Sequence, residues 1–276
     1  MNNELIERAI YFARNKHCGQ VRKWSNEPYV CHPLAMYDEL TSYLKKKALM
    51  AHLNEDYLTD LACACILHDT IEDTDTTFEE IKQVFNDNIA GIVRDVTNKT
   101  TLEDGNRETR KKIENTCIAN LSFKSKIVKL LDVKCNLNGC VNSEFKSTGK
   151  TRFTEKYLQE KEHLLNEMEK HDAYQDRANP YFQLYRKIFE DTKDVLNNEK
   201  LTLRDIDHDE KRYLQVKLEE AENIIWLLKS NVDHIQNKNI EQQKIYQNVI
   251  LENAYTLCQC YIEKHNPKKK ENEPLR

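Results

Sequence analysis

Residues 57–73 read YLTDLACACILHDTIED, and this stretch decides the fold. From Tyr57 to Leu67 only Thr59 and Asp60 interrupt an apolar run, which then meets His68, Asp69, Glu72 and Asp73. So apolar a stretch predicts a buried helix over 56–72 that enters a polar site. On one continuous helix Glu72 follows His68 by four residues and Asp73 follows Asp69 by four, so all four side chains share a face. Between Asp69 and Glu80 there are six acids and no base. Carboxylates crowded at the end of a buried helix repel each other, and a bound cation is the simple remedy. A neutral imidazole among carboxylates suits manganese, iron or zinc better than calcium. Two other H-D pairs, His171-Asp172 and His208-Asp209, lack the apolar lead and read as solvated helix faces.

Further candidate ligands lie far away in the chain. His32 sits between two prolines in Pro28-Tyr29-Val30-Cys31-His32-Pro33, as a ligand or as a structural loop residue. Asp132, in KIVKLLDVKCNL, projects from an otherwise apolar helical stretch, where an unpaired carboxylate is costly. Either Lys129 or Lys134 could neutralise it. His32, His68, Asp69 and Asp132 together would make a metal site with room for water.

Around these residues the chain reads as helical. Only five glycines and five prolines occur in 276 residues, too few for the many turns of a sandwich, barrel or doubly wound sheet. A net charge of −4 gives no global field that favours nucleic acid. No apolar run approaches the roughly 20 residues that span a bilayer, and Met1–Arg14 is too mixed in charge for a signal peptide. The cysteine spacings Cys63-x-Cys65, Cys135-x4-Cys140 and Cys258-x-Cys260 match neither a zinc site nor a redox pair, so the thiols read as small buried hydrophobes in a reducing compartment. The expectation is a cytoplasmic protein, with secretion by a route that reads no N-terminal signal left open.

Apolar spacing predicts helices over 3–17, 33–44, 78–85, 89–96, 109–119, 124–138 and 151–169, with irregular chain at 19–33 and a polar loop at 98–109. Thr77 and Glu80 have the spacing of a capping box. The character changes after Asn198. From Asp209 to Lys264 there is no Gly or Pro, and Leu214, Leu218, Ile225, Leu228 and Val232 recur at helical spacing, as do Ile245, Val249 and Leu257. This predicts a domain over 1–198, a helical hairpin over 199–266 with a break near 237–239, and a disordered tail over 267–276. The hairpin could pack on the domain, form a homo-oligomer or take a protein partner.

Five segments in order carry a resemblance. They are His17-Cys18-Gly19-Gln20-Val21-Arg22-Lys23, Asn26 to Pro33, Leu67 to Thr74, Val96-Thr97-Asn98-Lys99, and Lys129-Leu130-Leu131-Asp132 through Asn136-Leu137. The chain resembles the HD-domain hydrolases of the RelA/SpoT family, most closely the small stand-alone alarmone hydrolases of the metazoan SpoT-homologue type. The resemblance implies an all-α HD-domain bundle in which His32, His68, Asp69 and Asp132 hold one divalent metal, usually Mn2+. It assigns Glu72 and Asp73 to the catalytic acidic pair that positions and activates water. It gives Arg22 and Lys23 to the nucleotide base, and Lys99, Asn136 and Tyr157 to ribose or phosphates.

The implied reaction is hydrolysis of the 3′-diphosphate of ppGpp or pppGpp to GDP or GTP and pyrophosphate. Val133 replaces the basic residue usual after the metal-binding Asp, Leu131 replaces an Ala, and Trp24 stands where smaller residues or Tyr are usual. These departures keep an adenine alarmone (ppApp) and the 2′-phosphate of NADPH in play as substrates. A protein of another class, sensing nucleotides or binding a partner without catalysis, would have no need of the intact ligand set and acidic pair.

Overall fold

The computed structural model describes residues 1–45, 53–172 and 179–208. They form α-helices α1 (Asn3–Lys16), α2 (Cys31–Leu44), α3 (Glu55–Leu67), α4 (Thr70–Asp73), α5 (Phe78–Val84), α6 (Asp87–Val96), α7 (Arg107–Ala119), α8 (Phe123–Leu137), α9 (Cys140–Thr148), α10 (Arg152–Asp172) and α11 (Pro180–His208). Among the described residues the only β pairing is an isolated bridge between Val21 and Pro28. The fold is all-α.

Local chemistry sets the helix starts. Side-chain oxygens of Asn2, Asn54, Thr77, Asn86, Asn106 and Ser122 each accept a hydrogen bond from a backbone N–H in the first turn that follows. α2 begins two residues before the expected Pro33, because proline in a first turn gives up an N–H that has no helical partner anyway. His32 thereby becomes a helical residue rather than a loop residue. Within the polar segment at 98–109, a 3₁₀ turn over Leu102–Asp104 is closed by a Thr101/Asp104 capping box.

α3 is the centre of the molecule. Every residue from Tyr57 to Leu67 is buried, and α1, α2, α6 and α8 pack around it. α8 is covered in turn by α11, through Leu184, Tyr185, Ile188, Phe189 and Leu196. No sequence expectation was made for α9 or α11.

Two expectations change here. The helix expected over 56–72 breaks at His68 and Asp69, and α4 is a separate turn after them. Asp172 is buried rather than solvated, because it pairs with the buried Lys126 at 2.8 Å. α11 runs on through Asn198, where a domain boundary is expected. Just past it, the Glu199 carboxylate accepts from the backbone N–H groups of Gly139 (2.9 Å) and Val141 (3.0 Å) and so ties α11 to the start of α9. Of the segment expected as a hairpin and tail over 199–276, everything after His208 lies outside the described residues.

Candidate active site

Breaking the helix after Leu67 is what builds the centre. His68 closes α3, and its Nδ1 donates to the Cys65 carbonyl at 3.0 Å, which fixes the ring and leaves the Nε2 lone pair for another use. That Nε2 is buried and has no hydrogen-bond partner. It lies 2.8 Å from Asp69 Oδ2 and 3.8 Å from Asp132 Oδ1. His32, from the first turn of α2, places Nε2 3.2 Å from the same Asp132 oxygen, and the two imidazole centroids are 5.2 Å apart. One ligand atom from each of His32, His68 and Asp69 fits within 4.8 Å of the others, while Asp132 stands just outside that trio, beside both rings.

The other Asp132 oxygen answers the question of its neutralising partner: it pairs with Lys129 at 3.0 Å, whereas Lys134 binds Glu39 and the Tyr43 hydroxyl. Burial opposes charge on Asp132, yet Lys129, His32 and His68 outweigh it and hold the carboxyl well below its usual range. Burial lowers the His32 pKa, favouring the neutral imidazole that a metal requires. At His68 burial pulls the same way, but Asp69 and Asp132 overcome it and raise the pKa. An orphaned imidazole nitrogen, two carboxylates and a second imidazole converge, and this donor set fits a divalent transition metal.

The break does not separate the acidic pair from Asp69: the Asp73 N–H donates to the Asp69 carbonyl at 2.9 Å, one helical turn on. Glu72 and Asp73 sit on α4 at the mouth of the centre, both exposed. Asn98 holds Glu72 through its side-chain amide (2.7 Å) and its backbone N–H (3.2 Å). Burial first, and the charge of Asp69 second, raise the Asp73 pKa. Gln20 fixes the Asp73 carbonyl at 2.8 Å and accepts in turn from His17 Nδ1 at 2.7 Å.

The segment expected to be irregular, 19–33, is pinned by two backbone bonds, Arg22 to Glu27 (2.8 Å) and Tyr29 to Gln20 (2.9 Å). This turn carries Tyr29, whose hydroxyl donates to Asp69 Oδ2 at 2.5 Å, and Arg22, which donates to Asn136 Oδ1 at 2.9 Å. Asn136 donates to Asp132 Oδ1 at 2.6 Å, so Asp132 and the cleft arginine are joined through one amide. Beyond Asn136 opens a cavity of about 380 Å³ lined by Arg22, Lys23, Trp24, Asn136, Phe153 and Tyr157 among others. Lys23 Nζ lies 4.5 Å from the Trp24 ring centre and 4.4 Å from that of Phe153. Phe153 and Tyr157, one turn apart on α10, are nearly parallel at 10°. Lys99 lies elsewhere, in a neighbouring pocket of about 140 Å³ with Asn98, Thr100 and Glu114.

Sequence reasoning assigned no role to Tyr29, Asn98 or Phe153. Tyr29 and Asn98 stood inside the quoted motifs, three residues before His32 and one before Lys99. Phe153 carried no motif signal beyond its i, i+4 spacing to Tyr157.

A helical bundle with a buried His–Asp centre is the arrangement of an HD domain, and the model of the family described as "HD domain" matches residues 9–121. The chain is 38% identical over 136 residues to the guanosine-3′,5′-bis(diphosphate) 3′-pyrophosphohydrolase MESH1 of Xenopus tropicalis, covering 48% of this chain and 68% of that one. The Homo sapiens protein of the same name is 34% identical over 137 residues, 49% of this chain and 68% of its own. A guanosine-3′,5′-bis(diphosphate) 3′-pyrophosphohydrolase of Aquifex aeolicus is 45% identical over 94 residues, 34% of this chain and 12% of its own. The chain belongs to the stand-alone alarmone hydrolase family, the MESH1-type members of the HD-domain phosphohydrolases.

No helix among the described residues is long and apolar enough to cross a membrane.

Proposed function

We propose that this chain hydrolyses the 3′-diphosphate of ppGpp or pppGpp, releasing pyrophosphate and GDP or GTP. The observation that carries the reading is the buried His68 Nε2, left without a hydrogen bond between Asp69 and Asp132 and facing His32. His32, His68, Asp69 and Asp132 would hold one Mn2+, which when bound supplies charge for phosphoryl oxygens and lowers the pKa of water. Asp132 would offer Oδ1 to the metal and keep Oδ2 on Lys129, while Tyr29 orients Asp69.

The chemistry asked of the acidic pair is proton transfer. Water attacks the phosphorus attached to O3′, the P–O3′ bond breaks, and O3′ leaves with a proton as the nucleoside hydroxyl. Asp73, its pKa raised, is suited to take the proton of the attacking water, and Glu72 is held in one orientation by Asn98 to position it. Arg22 and Lys23 would hold the base in the cavity beside Trp24 and Phe153. Asn136 and Tyr157 would meet the ribose, and Lys99 would meet phosphate from its neighbouring pocket.

The test is manganese-dependent turnover of ppGpp, ppApp and NADPH side by side, with products resolved by anion exchange. Pyrophosphate with GDP is the expected outcome. Pyrophosphate with ADP would move the base preference to adenine, and free phosphate from NADPH would move the activity to a 2′-phosphatase. No turnover of any by metal-loaded protein would overturn the reading in favour of nucleotide sensing.

A further inference from the structure

Lys161 lies one turn beyond Tyr157 on α10, with its ammonium 4.9 Å from the Tyr157 ring centre. The charges that act on it are Lys129 and Asp132 of α8, Lys111 of α7 and Glu160 of its own helix. Each nearby carboxylate is already committed to another cation. Asp132 pairs with Lys129 at 3.0 Å, and Glu160 receives a two-pronged bond from Arg107 at 2.6 and 3.0 Å. Glu114, which faces the same lysines, is held by Lys111 at 2.5 Å and by the Thr100 hydroxyl. Among the described residues no carboxylate lies within ion-pairing distance of Lys161. Burial, with repulsion from Lys129 behind it, lowers its pKa to about 8.

A cation with no counter-charge, set among cations that all have one, is unfavourable unless a ligand completes the balance. The ligand that fits is anionic, carries more than one charge, and reaches the neighbourhood of Asp132. We propose that Lys161 is a phosphate-binding residue of this site, pairing with the diphosphate group that is cleaved. The proposal rests on the reading of the site as a nucleotide diphosphate hydrolase. It adds a contact from α10 to those of the quoted motifs.

The probe is inorganic pyrophosphate, titrated calorimetrically into the manganese-loaded full chain and its Lys161→Met variant, with steady-state turnover of ppGpp measured on both. Removing one charge-assisted contact should weaken pyrophosphate binding about tenfold and raise KM by a similar factor. kcat should stay within about threefold, since the contact is made in the ground state as well as the transition state. Lys161→Arg should restore most of the affinity. Lys161→Gln gives the same reading should methionine disturb the helix packing. Unchanged pyrophosphate affinity and KM in folded neutral variants would overturn the proposal, as would wild-type protein that binds no pyrophosphate. Lys161-dependent binding without ppGpp turnover would instead sustain this contact and remove the proposed reaction.

Discussion

Two groups of buried charge share α8 and differ in one respect. Near its start, Lys126 pairs with Asp172 at 2.8 Å, and Tyr185 donates to the other Asp172 oxygen; all three side chains are almost wholly enclosed. Further along, Asp132 meets Lys129, His32 and Asn136, but the adjacent His68 Nε2 is left without a bond. The first group is complete within the protein. The second is complete only if something enters. Buried charge by itself therefore does not mark a functional centre; an unfilled valence within it does.

The largest effect should come from the open group. Glu72→Gln and Asp73→Asn should each lower kcat about 10²–10⁴-fold, the span of one general acid–base contribution, and leave thermal stability near wild type because both are exposed. Turnover retained in either variant would break the contrast. Asp172→Ala should do the reverse. Leaving Lys126 buried without its counter-charge costs ~3–5 kcal/mol, read by denaturant unfolding, while the KM of surviving folded protein stays put. A loss below ~1 kcal/mol would show that the closed group is not the structural one.

Metal should separate the two groups again. Mn2+ at about 100 times its Kd should stabilise the fold by ~2.7 kcal/mol. The shift should vanish in His68→Ala and persist in Asp172→Ala, both followed by thermal unfolding with and without chelator. The smallest effect belongs to Glu199→Ala, which strips acceptors from the Gly139 and Val141 N–H groups at the start of α9. It should cost about 1–3 kcal/mol in denaturant unfolding and leave the manganese response intact.

Much of this was legible in the residues. The apolar run ending in His68-Asp69 announced both the central helix and the centre, since a helix buried on all sides has no other use for polar side chains at its end. His32 and Asp132 could be joined to it through the resemblance; their separate readings were each divided. Periodicity assumes an unbroken helix and so does not show the break at His68 and Asp69, where the imidazole spends its Nδ1 proton on the Cys65 carbonyl. His171-Asp172 looked solvated because its counter-charge, Lys126, lies 46 residues away. Tyr29 and Asn98 act through hydrogen bonds across the fold, which local sequence does not encode. α11 was readable, with Leu184, Tyr185, Ile188 and Phe189 at helical spacing, yet nothing in its composition pointed to Glu199 as an anchor.

α8 works as a ruler. Lys126, Asp132 and Asn136 stand along a single uninterrupted helix, and each meets a partner on a different element: Asp172 of α10, His32 of α2, and Arg22 of the turn at 19–33. Inserting or deleting one residue between Lys126 and Asp132 would turn one end against the other by about 100°. Either the ion pair with α10 or the aspartate beside His32 would then face the wrong way. Relatives of this chain should therefore vary in length at the turns around α8 and never within it.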